Sequence, residues 1–325
     1  MKRYGLNIMT AVLLLTACSS EQDDTLRRGV DDGRVALQVS AAIPAVSIEA
    51  NTRATGNAWA EGDAIGVYAF EAGTTTPLTN GTNKEYTASQ SGSASAVFLP
   101  FAVVGDPIYL PLDGTAAEIY AYYPRQNIMA DPEAVAINVA VQSNQAAIDW
   151  MTTGRTTTTT QGGSTPITRD HPDCELQFSH CLCKLQFNLK GEGITSQELE
   201  DNPPVIAAGL KTTGSINLMT GAVTATGGNA TAINPLLMAS PATGYDKSYE
   251  AIILPQELAA PLNVTITIGT LAQSITYTFA MPAQSFTAGN RYIYNVTVKN
   301  KKASVDCTID DWTNGVDIDA GTINM

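Results

Sequence analysis

Apolar and polar residues alternate along two stretches near the start of the chain, as they do in half-buried β-strands. In the first stretch, Val35, Leu37 and Val39 alternate with smaller or polar residues. Pro44 then interrupts the pattern, so we expect this strand at a sheet edge or in two segments. The second stretch, 65–70, predicts another strand. The polar, Gly-containing segment between them predicts an exposed connection that a protease can reach.

The rest of the first half predicts short strands separated by prolines, which favour turns. The candidates are 84–87, 96–98, 108–110, 117–123, 134–141 and 148–152. Residues 117–123 carry apolar side chains on both faces, which is typical of a central strand. The Thr- and Gly-rich segment 152–168 has almost no apolar residue except Ile167. We interpret it as the boundary between two domains.

The second half begins with a predicted long strand, 175–190, that is apolar on both faces. Further strands are predicted at 205–210, 215–218, 222–226, 249–254, 264–269, 274–280 and 292–299, with a short helical turn at 198–201. Short, regularly interrupted strands with little helix favour β-sandwiches. The sequence therefore predicts an all-β protein with an N-terminal β-sandwich domain at 35–165, a C-terminal one at 166–312 and a tail at 313–325.

The N-terminus predicts export. Residues 1–17 have a basic start and an apolar run too short to cross a bilayer, as in a signal peptide. The run ends in 15–18, which resembles a bacterial lipobox, so by that resemblance Cys18 carries the lipid. An ordinary secretory signal with a chance cysteine is the alternative. Residues 18–34 form an acidic tether, and its start resembles the signal that sends some Bacteroidota lipoproteins to the cell surface.

Charge and composition narrow the class of function. The net charge of −13 disfavours nucleic acid and anionic lipid surfaces as partners. The chain has two His and lacks GxSxG and HExxH motifs, so we expect no enzyme and no cofactor. The many Asp and Glu residues leave a glycosidase acid pair open.

Several His and Cys residues lie close together and could suggest a zinc site: His171, Cys174, His180, Cys181 and Cys183. However, adjacent residues of a strand point to opposite faces, and paired CxxC units are absent from the sequence. We therefore favour core packing for Cys181 and Cys183, with no metal, and leave open whether Cys307 pairs with another cysteine. Core or corner packing is also the favoured interpretation of Trp59, Trp150 and Trp312, over sugar stacking.

Six motifs occur in one order along residues 35–312. They are 59–67 with 52–55 just upstream, 176–180 with 184–185, 213–218, 253–256, 286–292 and 309–312. In sequence and order they resemble the fimbrillin-like (Mfa-like, type V pilin) family of Bacteroidota. Each motif alone is weak, but the ordered set covers nearly all of the exported chain.

The resemblance implies two transthyretin-like β-sandwich domains in tandem and a lipoprotein precursor that reaches the outer membrane through its acylated (palmitate-bearing) Cys18. It also implies that an Arg-specific protease removes the N-terminal strand, and that a strand from another fimbrial subunit fills the vacated groove. Arg53 is the first choice for the cut, because cleavage there removes the whole first strand. Arg27, Arg28 and Arg34 are rivals, but they would trim only the tether.

The tail after Trp312 is the candidate donor strand, because Val316, Ile318 and Ala320 alternate with Asp317 and Asp319. A frayed terminus is the alternative for this segment. The expected function is that of a fimbrial subunit that serves surface adhesion. The alternative is an uncleaved lipid-anchored surface protein, either a fimbrial anchor or a lipoprotein that binds glycans or host surfaces.

Overall fold

The computed structural model describes residues 33–43, 58–101, 106–127, 131–228, 231–270, 273–299, 302–311 and 317–318. The first half contains β1 (Val35–Ala36), β2 (Gln38–Ala42), β3 (Ala64–Glu71), β4 (Lys84–Ala88), β5 (Ser95–Pro100), β6 (Tyr109–Leu110), β7 (Ala117–Tyr123), β8 (Val135–Asn138) and β9 (Met151–Thr152). A single 3₁₀ turn, Gln145–Ala147, is described between β8 and β9.

The second half adds one helix and fifteen strands. They are β10 (Asp173–Gln177), β11 (Ser179–His180), β12 (Cys183–Glu192), α1 (Ser196–Asp201), β13 (Val205–Ile206), β14 (Thr213–Ile216), β15 (Val223–Gly227), β16 (Leu236–Leu237), β17 (Lys247–Ile253), β18 (Gln256–Leu258), β19 (Leu262–Thr270), β20 (Gln273–Met281), β21 (Gln284–Phe286), β22 (Asn290–Lys299), β23 (Lys302–Asp311) and β24 (Asp317–Ile318). The all-β prediction is confirmed. Neither helix in the described part of the chain has the length and apolar character needed to cross a bilayer.

Two larger sheets organise the chain. The first has eight strands in the order β10-β2-β5-β4-β3-β7-β9-β11, and the second has six in the order β16-β17-β12-β22-β23-β24. Two three-stranded sheets have the orders β13-β19-β20 and β15-β14-β8. The pairs β1-β6 and β18-β21 complete the set. Strand β8 of the first half is thus paired with β14 of the second, so one sheet contains strands from both halves.

Three hydrophobic clusters lie between these sheets. The first cluster consists of buried side chains from the range 37–178, and the second consists of buried side chains from the range 183–298. The third joins side chains of both halves, among them Tyr120, Trp150, Leu182 and Leu254. Residues 35–325 form one compact unit, so the division into domains at 165 and 166 stays a prediction.

The central pair of the first sheet follows directly from its sequence. Strands β3 and β7 match the predicted strands and pair antiparallel, with Gly66 opposite Tyr122. A Cβ on Gly66 would lie 2.2 Å from the Tyr122 ring, so only glycine allows this close approach. The predicted helical turn is α1, whose Thr195 cap accepts the Glu198 N–H while Glu198 accepts the Thr195 N–H.

The long strand predicted at 175–190 is wrong. The chain forms three strands there, and only β12 belongs to the six-stranded sheet, while β10 and β11 pair in the eight-stranded one. The cause is a change of phase in the apolar core positions, which are even up to Phe178 and odd from Cys183 onward. Three even positions of β12 are also buried, but they carry the polar residues Lys184, Gln186 and Asn188. The chain leaves one sheet and enters the other at this change.

The segment 152–168 does not behave as a free linker. Bridges join Thr156 to Ile119 and Thr158 to Pro166, and the Ala117 N–H donates to the Ile167 carbonyl oxygen at 2.8 Å. Ile167 is fully buried in the first cluster. The segment therefore packs against β7 as an irregular arm, because its one apolar side chain fixes it to the core.

Candidate functional site: the first strand and its slot

The first strand lies inside the eight-stranded sheet. Strand β2 pairs parallel with β10 on one side and antiparallel with β5 on the other. The expectation of an edge position is wrong, because β10 arrives from far along the chain and covers that side. The expectation of two segments is met by β1 and β2, although the break falls at Leu37 rather than at Pro44. We call the groove that residues 35–43 occupy, with β1 beside β6 and β2 between β5 and β10, the strand slot.

Main-chain hydrogen bonds hold both ends of the segment. The Leu37 N–H donates to the Ile108 carbonyl oxygen at 2.9 Å, and the Gln38 N–H donates to the Pro172 carbonyl oxygen at 3.0 Å. At the other end, the Ile43 N–H donates to the Ala94 carbonyl oxygen at 2.8 Å. These bonds add to the two ladders of β2, so the segment is integrated along its whole described length.

Four side chains of the segment enter the core of the first half. Leu37, Val39, Ala41 and Ile43 are each 3% exposed or less, and they occupy alternate positions on one face. The residues between them point outward and are small or polar. Full burial of a Val, Leu or Ile side chain contributes about 1.5–3 kcal/mol, an upper estimate because unfolded chains are already compact.

Aromatic rings form the floor of the strand slot. Trp59 packs edge-to-face on Phe98, Phe178 and Tyr123, with ring centroids 5.0, 5.2 and 5.7 Å away. Its indole Nε1–H donates to the Ala41 carbonyl oxygen at 3.1 Å, and this bond is buried. The Trp59 backbone is fixed in turn, because its N–H donates to the Ser93 carbonyl oxygen at 2.8 Å.

Cys174 belongs to the wall of the strand slot, since it is the register partner of Val39 on β10. It is buried, and that burial raises the pKa of its thiol to about 12. Cys181 and Cys183 are also free and buried, in the other two clusters. Burial raises the pKa of Cys181 to about 12 and also raises the pKa of Cys183. The core-packing interpretation is confirmed for Cys181 and Cys183, and Cys174 is a buried core residue as well.

Among the described residues, no group of three or more His, Cys, Asp or Glu side chains is placed to hold a metal ion. His180 instead pairs with Asp149 through its Nδ1 at 2.8 Å, and both side chains are fully buried. Trp59 and Trp150 are buried core residues, whereas Trp312 lies outside the described residues.

Several predicted site residues cannot be placed. Cys18, Arg27, Arg28 and Arg53 lie outside the described residues. Arg34 is exposed and directly precedes β1 in the sequence. Of the candidate donor tail, residues 317–318 form β24 and pair with residues 309–310 of β23.

Two parts of the strand slot do not follow from the sequence patterns. These patterns predict residues 175–177 as the start of a long strand of the second half, and they predict only a packing role for Trp59. The even-numbered phase of Cys174, Leu176 and Phe178 was the available signal for β10, because it ends where that strand leaves the sheet. The hydrogen bond from Trp59 to Ala41 spans 18 residues and has no local signature.

The fold and the strand slot define an all-β protein in which residues 38–42 form an inner strand of the eight-stranded sheet. A family model described as "Fimbrillin-like" matches residues 52–312. The chain belongs to the fimbrillin-like family. Its members are structural fimbrial and adhesion subunits and not enzymes, which agrees with the expected absence of catalysis.

One relative and two solved structures resemble this chain over most of its length. A Bacteroides uniformis protein named "Putative fimbrium subunit Fim1C" is 30% identical over 312 residues, which is 94% of each chain. A crystal structure of a "putative cell adhesion protein" from Bacteroides uniformis is 26% identical, with a TM-score of 0.68 over 88% of this chain and all of that one. A Bacteroides ovatus structure at 23% identity, with a TM-score of 0.64 over 86% of this chain and 98% of that one, shares the fold.

Proposed function

We propose that this chain is a fimbrial subunit made as a lipid-carrying precursor. In this proposal, Cys18 anchors the precursor to the outer membrane and cleavage at Arg53 frees the first strand. A strand from a second subunit then fills the strand slot, and the subunits polymerise into a surface fimbrium that serves adhesion. Membership of the fimbrillin-like family supports the fimbrial role.

The observation that carries the proposal is the inner position of β2 between β5 and β10. Loss of residues 35–43 would leave unpaired N–H and C=O groups on three strands, β5, β6 and β10. It would also expose the apolar floor around Trp59. An empty slot of this kind is a template for strand addition, in which main-chain bonds supply affinity and side-chain pockets supply specificity.

The energetic balance favours refilling the slot. Each main-chain hydrogen bond restored by a new strand contributes about 0.5–1.5 kcal/mol net. Each large apolar side chain returned to the core adds about 1.5–3 kcal/mol. Neither term needs nucleotide hydrolysis, because the proteolytic cut creates the unsatisfied site.

The position of Arg53 relative to the described strands supports it as the cut site. Residues 35–43 belong to the sheet, and the described chain resumes at residue 58. A cut at Arg53 therefore turns the first strand into a separate peptide held only by noncovalent contacts. Cuts at Arg27, Arg28 or Arg34 fall before β1 and leave the strand covalently attached.

The tail remains the candidate donor. Its described contact with its own chain is short, because only Ile318 and Asp317 pair with β23. Strand exchange requires this pairing of the described tail residues to be given up in favour of the strand slot of a second subunit.

An Arg-specific protease tests the cut site. The Cys18→Ser precursor, which is soluble without lipid, is treated with the protease, and mass spectrometry locates the cut. Electrophoresis without boiling then shows any oligomer ladder. We expect a ladder from this precursor and from its Arg34→Lys form, and monomers from Arg53→Lys, which keeps the charge but removes the Arg-specific site. A ladder of equal strength from Arg53→Lys would contradict the assignment. A precursor that the protease leaves uncut at Arg53 would support the uncleaved, lipid-anchored alternative instead.

A further inference from the structure

We infer that Trp59 sets the register of the incoming strand and that the strand slot accepts a strand only if a small residue takes the place of Ala41. The inference rests on the strand exchange proposed above. It adds a specificity-determining residue, Trp59, to that exchange. It also predicts which donor residue takes the position of Ala41.

The hydrogen bond of Trp59 is the first argument. Residue 59 follows the proposed cut site, so Trp59 stays in the mature chain while Ala41 departs. Its buried Nε1–H then loses the carbonyl oxygen that lies 3.1 Å away in the precursor. A buried donor without a partner is costly, so an incoming strand is favoured when it presents a carbonyl group at the same point.

Side-chain size is the second argument. Ala41 and Ala96 are register partners on adjacent strands, and both are buried in the first cluster. At the next inward position the partners are the larger Val39 and Phe98. Two small side chains next to each other leave room for a large ring. Trp59 is almost fully buried and its indole donates to the Ala41 carbonyl oxygen, so we infer that its ring takes this room. A larger side chain at position 41 would have to displace the indole.

The sequence offers one donor that fits, the segment 316–322 of a second copy of this chain. The alternate residues of this segment have the same order of side-chain sizes as those of the leaving strand: two large apolar residues, then Ala, then a β-branched residue. In the donor they are Val316, Ile318, Ala320 and Thr322, and in the leaving strand they are Leu37, Val39, Ala41 and Ile43. In this register Ala320 takes the place of Ala41. A shift of two residues would put Ile318 or Thr322 against the indole, and a shift of one would turn an Asp into the core.

Peptide uptake tests the register. The cut precursor is incubated with a labelled peptide of residues 313–325, and incorporation is measured by fluorescence anisotropy and by mass spectrometry of the complex. We expect Ala320→Leu to lower the affinity of the peptide at least about tenfold, because overpacking at a filled site is costly. The matched control, Ile318→Leu, changes a neighbouring inward residue with little change in volume and should stay within about threefold.

Variants of the slot test the role of the ring. Trp59→Phe keeps an aromatic side chain but removes the indole N–H, and should lower the affinity of the native peptide about tenfold. Trp59→Leu makes room, so the penalty of Ala320→Leu should shrink to less than about threefold in this background. Rescue of this kind would not follow from a role of Trp59 in stability alone.

The outcomes separate this inference from the proposed function. Equal uptake of the native and Ala320→Leu peptides by the wild-type slot would overturn the role of Trp59 and leave strand exchange intact. A structure of the complex in which the native peptide places a residue other than Ala320 beside Trp59 would also overturn the role of Trp59 and leave strand exchange intact. A cut precursor that keeps its first strand and takes up none of the peptides would instead overturn strand exchange itself.

Discussion

The side-chain amide of Gln142 bonds both main-chain groups of Ile252. Its Nε2 donates to the Ile252 carbonyl oxygen at 2.9 Å, and its Oε1 accepts the Ile252 N–H at 2.8 Å. Strand β16 pairs with β17 only up to Glu250, so Gln142 takes the place of the next residue of a neighbouring strand. Because Gln142 comes from the first half and Ile252 from the second, this contact ties the two halves together.

The first prediction concerns this contact. Gln142→Leu keeps the volume but leaves a buried N–H without its partner, so it should lower the free energy of unfolding by about 2–4 kcal/mol. Urea unfolding of the precursor measures the change. Val141→Ser is the neighbouring control, because Val141 is 70% exposed, and should change stability by less than about 0.5 kcal/mol. Equal stability of wild type and Gln142→Leu would show that the contact does not support the junction.

The second prediction concerns the fit of the first strand in the uncut precursor. Ala41→Leu puts a larger side chain beside Trp59 and should destabilise the precursor by about 1–3 kcal/mol. The melting temperature of the precursor reports the change. Ser40→Leu adds a side chain of the same size on the outward face of the same strand, and we expect little change from it. If both substitutions lower the melting temperature equally, the size limit at position 41 is wrong.

The third prediction uses Cys174 as a reporter of strand release. In the precursor its thiol is buried beside Val39, so a maleimide should not react with it. After cleavage at Arg53, each departure of the strand uncovers Cys174 until a new strand fills the slot, so Cys174 should become labelled during strand exchange, which peptide mapping detects. Cys181 and Cys183 lie in other clusters and serve as internal controls that should stay unlabelled. Labelling of all three at the same rate would indicate general unfolding instead.

The fourth prediction concerns alkaline pH. Burial raises the pKa of Cys174 and Cys181 from 9.0 to about 12. Above pH 9 the unfolded state therefore loses these protons while the folded state keeps them, and stability falls as pH rises toward 12. Each thiol contributes about 1.4 kcal/mol per pH unit in this range. Urea unfolding between pH 8 and 11 should show the decline, and Cys181→Ala should show a smaller slope. An unchanged slope in that variant would contradict the assignment.

The sequence predicts the local features of the fold well. Strands β3 and β7 follow from their apolar positions, and the segment 117–123 is predicted to the residue. The aromatic and β-branched side chains of these strands decide the structure locally, because each face meets a hydrophobic cluster. The capped helix α1 likewise follows from neighbouring residues.

The parts that the sequence does not predict depend on distant residues. The parallel pairing of β2 with β10 joins Val39 to Cys174, and nothing near either residue encodes the partner. The strand slot is formed by that pairing and by the hydrogen bond from Trp59 to Ala41. The sequence therefore predicts a first strand, but it does not predict that this strand lies inside the sheet. The phase change between Phe178 and Cys183 was visible, but it is also what a strand buried on both faces would show.

The fate of the first strand after cleavage tests the central claim most directly. The cut precursor is separated by size-exclusion chromatography, and native mass spectrometry then weighs the monomer and each oligomer. We predict that monomers retain the fragment ending at Arg53, whereas oligomers lack it at every slot that a neighbour fills. Oligomers that retain one fragment per subunit would contradict the account, because the first strand would then still occupy its slot while the subunits are joined.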